Sequence, residues 1–431
     1  MLTIAPETAI SPAAATADSL RAHPAAAAAV SLSLHDNLAD VATLWRAFEA
    51  SADCTVFQTF AWHQLWQQHI GDAAGTKPAI VVGRAGGRVL FVLPLAVSAA
   101  RMARRLTWHA SDLCDYNGPL LAPDFAAAVS PAAFIRLWSQ IEDLIASTPG
   151  LNFDVAVLRH MPEHIGAQRN PFLDLAVSAS SSGAHYMQIY GPWEQFYRDK
   201  RSSATRRHDR VKIKRMAELG TVRFETVTEP CAAEAVLDAL FVQKAASFAA
   251  HGVANFLARP GRQAFFRAVA AEPALRDIVH ISDIKVGTRI AAANLGFIFR
   301  RRYYHFIASY DGGAVGRFGP GTAHLHALVD YALQHGCTVF DFTVGDEAYK
   351  RDWCDSEERM FDYRASRNAR GVAAAAASII AMRVKRRIKQ TPQLWAAYVR
   401  LRLMAAFLRG GLRHTEQKAA AAAEIERSAS I

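Results

Sequence analysis

The sequence predicts a mixed α/β protein built from two similar halves, and three observations lead there. The succession of strand, helix, strand meander, helix and strand between residues 30 and 158 starts again at residue 184. Residues 278–282, 289–299 and 302–309 read as consecutive strands joined by tight turns, which is an antiparallel meander. That meander runs into a glycine-rich turn, a helix and a further strand between Gly316 and Phe342.

In chain order, residues 1–29 are rich in Ala, Pro, Ser and Thr and read as a disordered leader. Residues 30–34 alternate as a strand, and an amphipathic helix follows over 38–50. The aromatic run 57–66 starts a helix that Thr59 is placed to cap; it reads either as core or as a stacking surface for a ligand. Residues 78–84 and 88–98 form a hairpin across Ala85-Gly86-Gly87, and 106–109 is another strand. The polar loop 112–119 is either a plain turn or, through Asp115 and Tyr116, the lining of a cleft. A helix over 131–147 and a buried strand over 153–158 complete the first half, and residues 178–183 read as a linker.

The second half begins with a strand at 184–189. A basic helix over 192–219 follows, with nine cations against Asp199 and Asp209 and, near its two ends, Glu194 and Glu218. It suits nucleic-acid phosphates, the wall of an anionic groove, or a solvated face over a thin seam of Phe196, Val211, Ile213 and Met216. Helices over 233–250 and 260–271 lead to the meander. Residues 303–310 are aromatic and β-rich, and Gly316, Gly319 and Gly321 then fall within six residues. Thr322 is a candidate cap, and Leu325, Leu328, Val329, Ala332 and Leu333 mark one helical face until His335-Gly336 stops it. Glycines let backbone amides converge at the positive end of a helix, which suits a phosphate. The spacing also fits a dinucleotide turn, with Asp341 twenty residues after Gly321, but an antiparallel run precedes it where a βαβ unit is required. The strand 337–342 ends in a polar loop over 344–353, where chemistry is often carried. Residues 360–366 are expected to close the same sheet as its last strand.

The stretches Phe318-Gly319-Pro320-Gly321-Thr322, Phe340-Asp341-Phe342-Thr343 and Gly345-Asp346-Glu347-Ala348-Tyr349-Lys350-Arg351-Asp352-Trp353 carry a resemblance. Together they resemble the GNAT-like acetyltransferases of bacterial cellulose and exopolysaccharide biosynthesis (CelD-like). Those proteins show a Pro-Gly-Thr turn, an Asp-Phe strand and a Gly-Asp-x-x-Tyr-Lys-x-x-Trp segment in this order. The likeness extends over residues 30–370. The usual GNAT loop begins with Arg or Gln, where this chain has Gly316. A basic helix at 192–219 is a feature shared with the FemX-like peptidyltransferases.

The resemblance implies tandem GNAT-like halves over 30–183 and 184–370, followed by a basic helical extension over 371–431. It implies an acyl-CoA cofactor, acetyl-CoA first, held by Arg317, Phe318, Gly319, Gly321 and Thr322. Acid–base work would fall to Asp346, Glu347 and Tyr349, with Asp341 positioning Lys350 or forming a plain ion pair with it, and with Trp353 as a possible packing plug. The expected acceptor is an amine or hydroxyl of a sugar, a polysaccharide precursor or a related metabolite. Two alternatives stand beside it: FemX-like aminoacyl transfer from charged tRNA, and a non-enzymatic accessory of a membrane polysaccharide synthase.

Composition narrows the classes further. At 431 residues and a net charge of +10, the chain is long enough for two cores and suited to an anionic partner. Cys54, Cys114, Cys231, Cys337 and Cys354 are scattered without a Cys-x-x-Cys pair, which argues against a zinc site and a disulfide framework. Reduced thiols in the cytoplasm are expected. Residues 1–7 lack a secretory n-region, and no run of 18 apolar residues exists to span a membrane. Residues 383–413 interleave arginines with Trp395, Tyr398 and leucines, which suits a helix lying on an acidic bilayer or packed on the protein's own body. Neither a Gly-x-Ser-x-Gly elbow nor a Walker loop is present.

Overall fold

The computed structural model describes residues 29–99, 102–345, 347–377 and 380. The expectations for the leader and for the basic segment 383–413 fall outside the described residues. The first half contributes strands β1 (Ser31–His35), β2 (Lys77–Ala85), β3 (Arg88–Ala99), β4 (Arg104–Trp108), β5 (Leu120–Leu121), β6 (Val155–Pro162), β7 (His164–Ile165), β8 (Gln168–Arg169) and β9 (Val177–Ala179). Its helices are α1 (Ala42–Glu49), α2 (Phe60–Trp66), α3 (Phe125–Ala128) and α4 (Pro131–Ser147). The second half contributes β10 (Ala184–Gln188), β11 (Val222–Val227), β12 (Val279–Val286), β13 (Arg289–Phe299), β14 (Arg302–Tyr310), β15 (Val339–Val344), β16 (Ser356–Glu358) and β17 (Met360–Ser366). Its helices are α5 (Trp193–Lys200), α6 (Ser203–Ala217), α7 (Pro230–Ala250), α8 (Arg262–Ala271), α9 (Pro320–Gln334) and α10 (Ala348–Arg351).

Two sheets have matching plans. One runs β1-β2-β3-β4-β6-β17-β9 and the other β11-β12-β13-β14-β15-β10-β16. Each starts with four antiparallel strands, crosses over through a helix, α4 or α9, and adds a strand parallel to the fourth. A sixth strand then pairs antiparallel with the fifth: β17 with β6 in one sheet, β10 with β15 in the other. Residues 360–366 therefore do not close the second sheet. They return to the first, where Met360 pairs with Pro162 and Ser366 with Val155. The edge of β15 is already taken by β10, so the last strand finds its open backbone donors and acceptors on β6.

Local chemistry accounts for the elements. Gly86 and Gly87 take φ of 56° and 81° and turn β2 into β3. Ser130 accepts from the Ala133 amide with Pro131 at the first position of α4, whose Phe134, Leu137, Trp138, Ile141 and Ile145 are buried at helical spacing. The expected cap at Thr59 is different in the fold: the Thr59 hydroxyl donates to the Val56 carbonyl at 2.8 Å, and Thr55 with Gln58 forms a capping box one turn earlier. The aromatic run is core between the halves. Phe57 and Trp62 meet Phe297 and Phe306 of the second half, with ring centroids 5.4–6.3 Å apart.

The basic helix is two helices. The chain breaks at Arg201, and the Ser202 hydroxyl then accepts from the Thr205 amide to start α6. Phe196 and Met216 are buried, but Val211 and Ile213 are 43% and 36% exposed, so the seam is incomplete. Among the described residues no helix is long and apolar enough to cross a membrane.

Candidate active site between the halves

Strands β14 and β15 pair in parallel over three positions only, Arg302 with Val339, Tyr303 with Phe340 and Tyr304 with Asp341. Beyond Asp341 they part, and Thr343 turns away with φ of 59°, a backbone conformation rare for a β-branched residue. A cavity of about 340 Å³ opens in the fork. Its walls are 305–308 of β14, 342–344 of β15, Glu347, Tyr349 and Lys350. Lys244 of α7, Arg262 of α8, and Asp112 and Asp115 of the first half complete the lining.

Asp341 holds this fork from behind. It is fully buried, and its carboxylate accepts from the Tyr116 hydroxyl at 2.8 and 2.9 Å, from Arg302 Nη1 at 2.7 Å and from the Thr343 amide at 2.7 Å. Burial and the Asp341 charge push the Tyr116 phenol far up, so it stays a donor. Burial opposes the charge of Arg302, but Asp341, Tyr304 and Tyr116 together outweigh it and raise the guanidinium pKa. Neither reading of Asp341 as the partner of Lys350 holds. Lys350, 3% exposed, donates instead to the carbonyls of Thr343 and Val344 at 3.3 Å and to Glu347 at 2.9 Å. The geometry is simple: Asp341 faces Arg302 across the strand pair, and Lys350 folds back over the strand end. Nor is Asp341 free to meet a ribose, which removes the dinucleotide alternative.

The groups facing the cavity have separated proton affinities. Burial pushes the Asp115 carboxyl up to about 6, with Asp341 and Glu347 adding to the rise against the opposing pulls of Thr343 and Lys350. Burial also works against the charge of Glu347, but the hydrogen bond and charge of Lys350 win and hold it below the usual glutamate value. Burial lowers His305 to about 3, with Lys350 and Lys244 adding to the effect, so it is a neutral imidazole. Burial and the neighbouring Glu347 raise the Tyr349 phenol, which keeps its proton. Arg262, 5% exposed, pairs with Asp112, which also accepts from Trp66 Nε1 at 2.9 Å, and so pins the first half to α8. Asp346 lies outside the described residues.

The glycine turn lies at the far end of β14. Gly316–Phe318 form a single tight turn, and Gly319, with φ of 69°, caps α9. Thr322 is therefore inside the first helical turn and not its cap; its amide and that of Ala323 both donate to the Gly319 carbonyl. The Phe318 and Gly319 amides are also committed, to Val315 and Gly316. Side chains supply the charged partners for a phosphate. Arg317 is exposed, with its guanidinium 4.8 Å from the Phe318 ring centre, and the Lys212 stem of α6 passes 3.7 Å from where a side chain on Gly319 would begin. Gly321 lies against the Tyr310 ring at the end of β14, so turn and cleft share one strand. Two cations at the positive end of a fifteen-residue helix are a donor set that fits a pyrophosphate.

The sequence pointed to Glu347, Tyr349 and Lys350, which the fold brings into one cavity, and to Asp115 as either turn or cleft lining. It missed Lys244, Arg262 and His305. Arg262 and Lys244 stand in ordinary helical patterns, and His305 is hidden in an aromatic strand; none carries a motif.

Residues 203–351 match the model of the acetyltransferase (GNAT) domain. Among solved structures, the chain is similar to that described as the crystal structure of FemX, with a TM-score of 0.54 and 11% identity over 77% of this chain and 97% of that one. Weaker likenesses are to a tandem GNAT protein from the clavulanic acid biosynthesis pathway (TM-score 0.42, 11% identity, 78% and 98% covered) and to L-PGS from Bacillus licheniformis (0.42, 10%, 77% and 97%). No curated protein matches the sequence. The chain thus carries a GNAT-type acyltransferase domain within a mixed α/β fold of two GNAT-like halves.

Proposed function

We propose that the protein transfers an acyl group, acetyl first, from acyl-CoA to an amine or hydroxyl of a sugar, a polysaccharide precursor or a related metabolite. The observation that carries this reading is the fork: β14 and β15 stop pairing at Tyr304 and Asp341, and a cavity lined by Asp115, Glu347 and Tyr349 opens there. Acyl-CoA supplies a thioester, an acyl group already activated for attack. Arg317 and Lys212 at the start of α9 bind its phosphates, Gly319 and Gly321 keep the approach open, and Phe318 and Thr322 border it.

The chain's own groups divide the proton transfers. The Asp115 carboxylate takes the proton of the attacking amine or hydroxyl, since a base with a pKa of about 6 is mostly ionised at neutral pH yet retains basicity. The Tyr349 hydroxyl keeps its proton, faces the same cavity and would supply that proton to the departing thiolate. Lys350 fixes Glu347 at the mouth, and the Glu347 carboxylate orients a polar acceptor. An acceptor with several hydroxyls suits a cavity ringed by Lys244, Arg262 and Glu347. A role in cellulose or exopolysaccharide synthesis rests on the motif likeness, and contact with an acidic membrane face is proposed for the basic segment 383–413.

Titration calorimetry with acetyl-CoA tests the cofactor. Micromolar binding to the wild type, lost in Gly321→Trp and weakened in Arg317→Gln with Lys212→Gln, is expected; no heat with the wild type refutes the reading. A second reading, aminoacyl transfer from charged tRNA, is favoured by the exposed cations Arg207, Arg210, Lys214 and Arg215 of α6. Salt-sensitive tRNA binding without acetyl-CoA binding would select it.

A further inference from the structure

The geometry points to a second ligand site, an anion pocket for a phosphate-bearing small molecule, at the opposite end of the β14–β15 pair. A cavity of about 390 Å³ opens there between the halves, larger than that in the fork. Its floor is the two-residue turn from β13 to β14, where Phe299 pairs with Arg302 and Arg300 and Arg301 form the turn itself. Tyr116, Tyr186 and Tyr304 line it from both halves. The Tyr116–Asp341 hydrogen bond separates it from the cavity that holds Asp115.

Arg300 and Arg301 take φ of 51° and 61°. A two-residue hairpin turn with both residues at positive φ is the place for Asn-Gly or Gly-Gly, because a β-carbon is crowded there. Two arginines are unfavourable turn formers, so local conformation does not account for them. Their side chains are held by backbone carbonyls. Arg300 Nη2 donates to the Glu49 carbonyl at 2.7 Å and Arg301 Nε to the Gly336 carbonyl at 3.2 Å. Among the described residues neither forms a salt bridge, whereas Arg302 beside them is neutralised by Asp341.

The acids near the pocket accept hydrogen bonds from neutral donors, and the Glu49 carboxylate acts on Arg300 through space without a salt bridge. Asp53 accepts from Gln168 at 2.7 Å, Glu358 from the His164 amide at 3.0 Å, and Glu49 from the Phe60 amide at 2.6 Å. Two adjacent guanidiniums, neither held in a salt bridge among the described residues, match a doubly charged phosphate better than a single carboxylate, and their fork geometry suits its oxygens. The tyrosine walls suit a ring or sugar face attached to that phosphate.

The test uses the full chain and pyrophosphate as the probe, with malonate as the carboxylate comparison, by calorimetry at low ionic strength. The informative variant is Arg300→Asn with Arg301→Gly, which removes both cations while supplying the residues the turn prefers, so the hairpin keeps its shape. Arg317→Gln with Lys212→Gln serves as the comparison for the glycine turn. Pyrophosphate is expected to bind the wild type at two sites: one weakens at least tenfold in the Arg300→Asn, Arg301→Gly protein and changes less than threefold in the other double variant, which loses the glycine-turn site instead. Equal affinity in the turn variant, loss confined to the Arg317→Gln, Lys212→Gln protein, or no binding to the wild type overturns the assignment. Tighter binding of malonate than of pyrophosphate overturns its phosphate chemistry.

Discussion

The Tyr116 hydroxyl donates to both oxygens of the Asp341 carboxylate, at 2.8 and 2.9 Å, across 225 residues of sequence and across the boundary between the halves. The bond keeps the fork at Thr343 rigid, because the same carboxylate accepts the Thr343 amide. Tyr116→Phe leaves a buried carboxylate short of a donor and is expected to cost about 1–3 kcal/mol. Asp341→Ala, which also strands Arg302, is expected to cost more, about 3–5 kcal/mol. Urea denaturation checks both, and a Tyr116→Phe protein as stable as the wild type would refute the tie.

The proton affinity of Asp115 sets a pH limb for transfer. With its carboxyl at about 6, kcat/KM is expected to rise with pH through about 6 and then level. Asp115→Asn should lower kcat by about 10²–10⁴-fold and abolish that limb. Glu347→Gln should act mainly on KM, because Glu347 orients without exchanging a proton. Initial rates from pH 5 to 8 with an acceptor in hand decide it; an unchanged limb in Asp115→Asn would reassign the base.

Asp283 makes stability depend on pH. It is fully buried on β12, neither carboxylate oxygen has a hydrogen-bond partner among the described residues, and Lys285 Nζ stands 3.8 Å away. Burial raises its carboxyl to about 6 against the pull of Lys285. A folded-state pKa above the unfolded one means stability is full below the unfolded value, near 4, and falls as pH rises through about 6. Asp283→Asn is therefore expected to gain about 1–3 kcal/mol over the wild type at pH 8 and to lose that advantage near pH 4. Denaturation curves at the two pH values test the sign.

Gly261 is a contact point between the halves. It precedes α8 with φ of 78°, and a β-carbon there would run into the His69 carbonyl of the first half. Gly261→Ala adds left-handed strain of about 1–2 kcal/mol to a backbone clash, so the total loss is expected to exceed 2 kcal/mol. Gly252→Ala, with φ of 63° and open space around its β-carbon, should show the strain alone. Melting temperatures of the two variants separate the contributions.

Helix α4 was legible in its bounds, residues 131–147, because helix starts and 3.6-residue periodicity are local properties. The meander and the cavity residues Glu347, Tyr349 and Lys350 were legible too, from turn glycines and from a motif compact in sequence. The break at Arg201 was obscured by a continuous run of charge, since both helices are largely solvated and leave little apolar pattern to mark the gap.

By itself the sequence determined the order of strands and helices, the glycine turn before α9 and the polar loop after β15, because each depends on residues within a turn or two of one another. Only the tertiary structure decided that β17 returns to β6, that Asp341 takes Arg302 and Tyr116 in place of Lys350, and that Asp115 meets Glu347 in one cavity. Those pairings join residues far apart in the chain. They follow from which sheet edge lies open and which carboxylate is buried once the halves dock, and no local pattern encodes either.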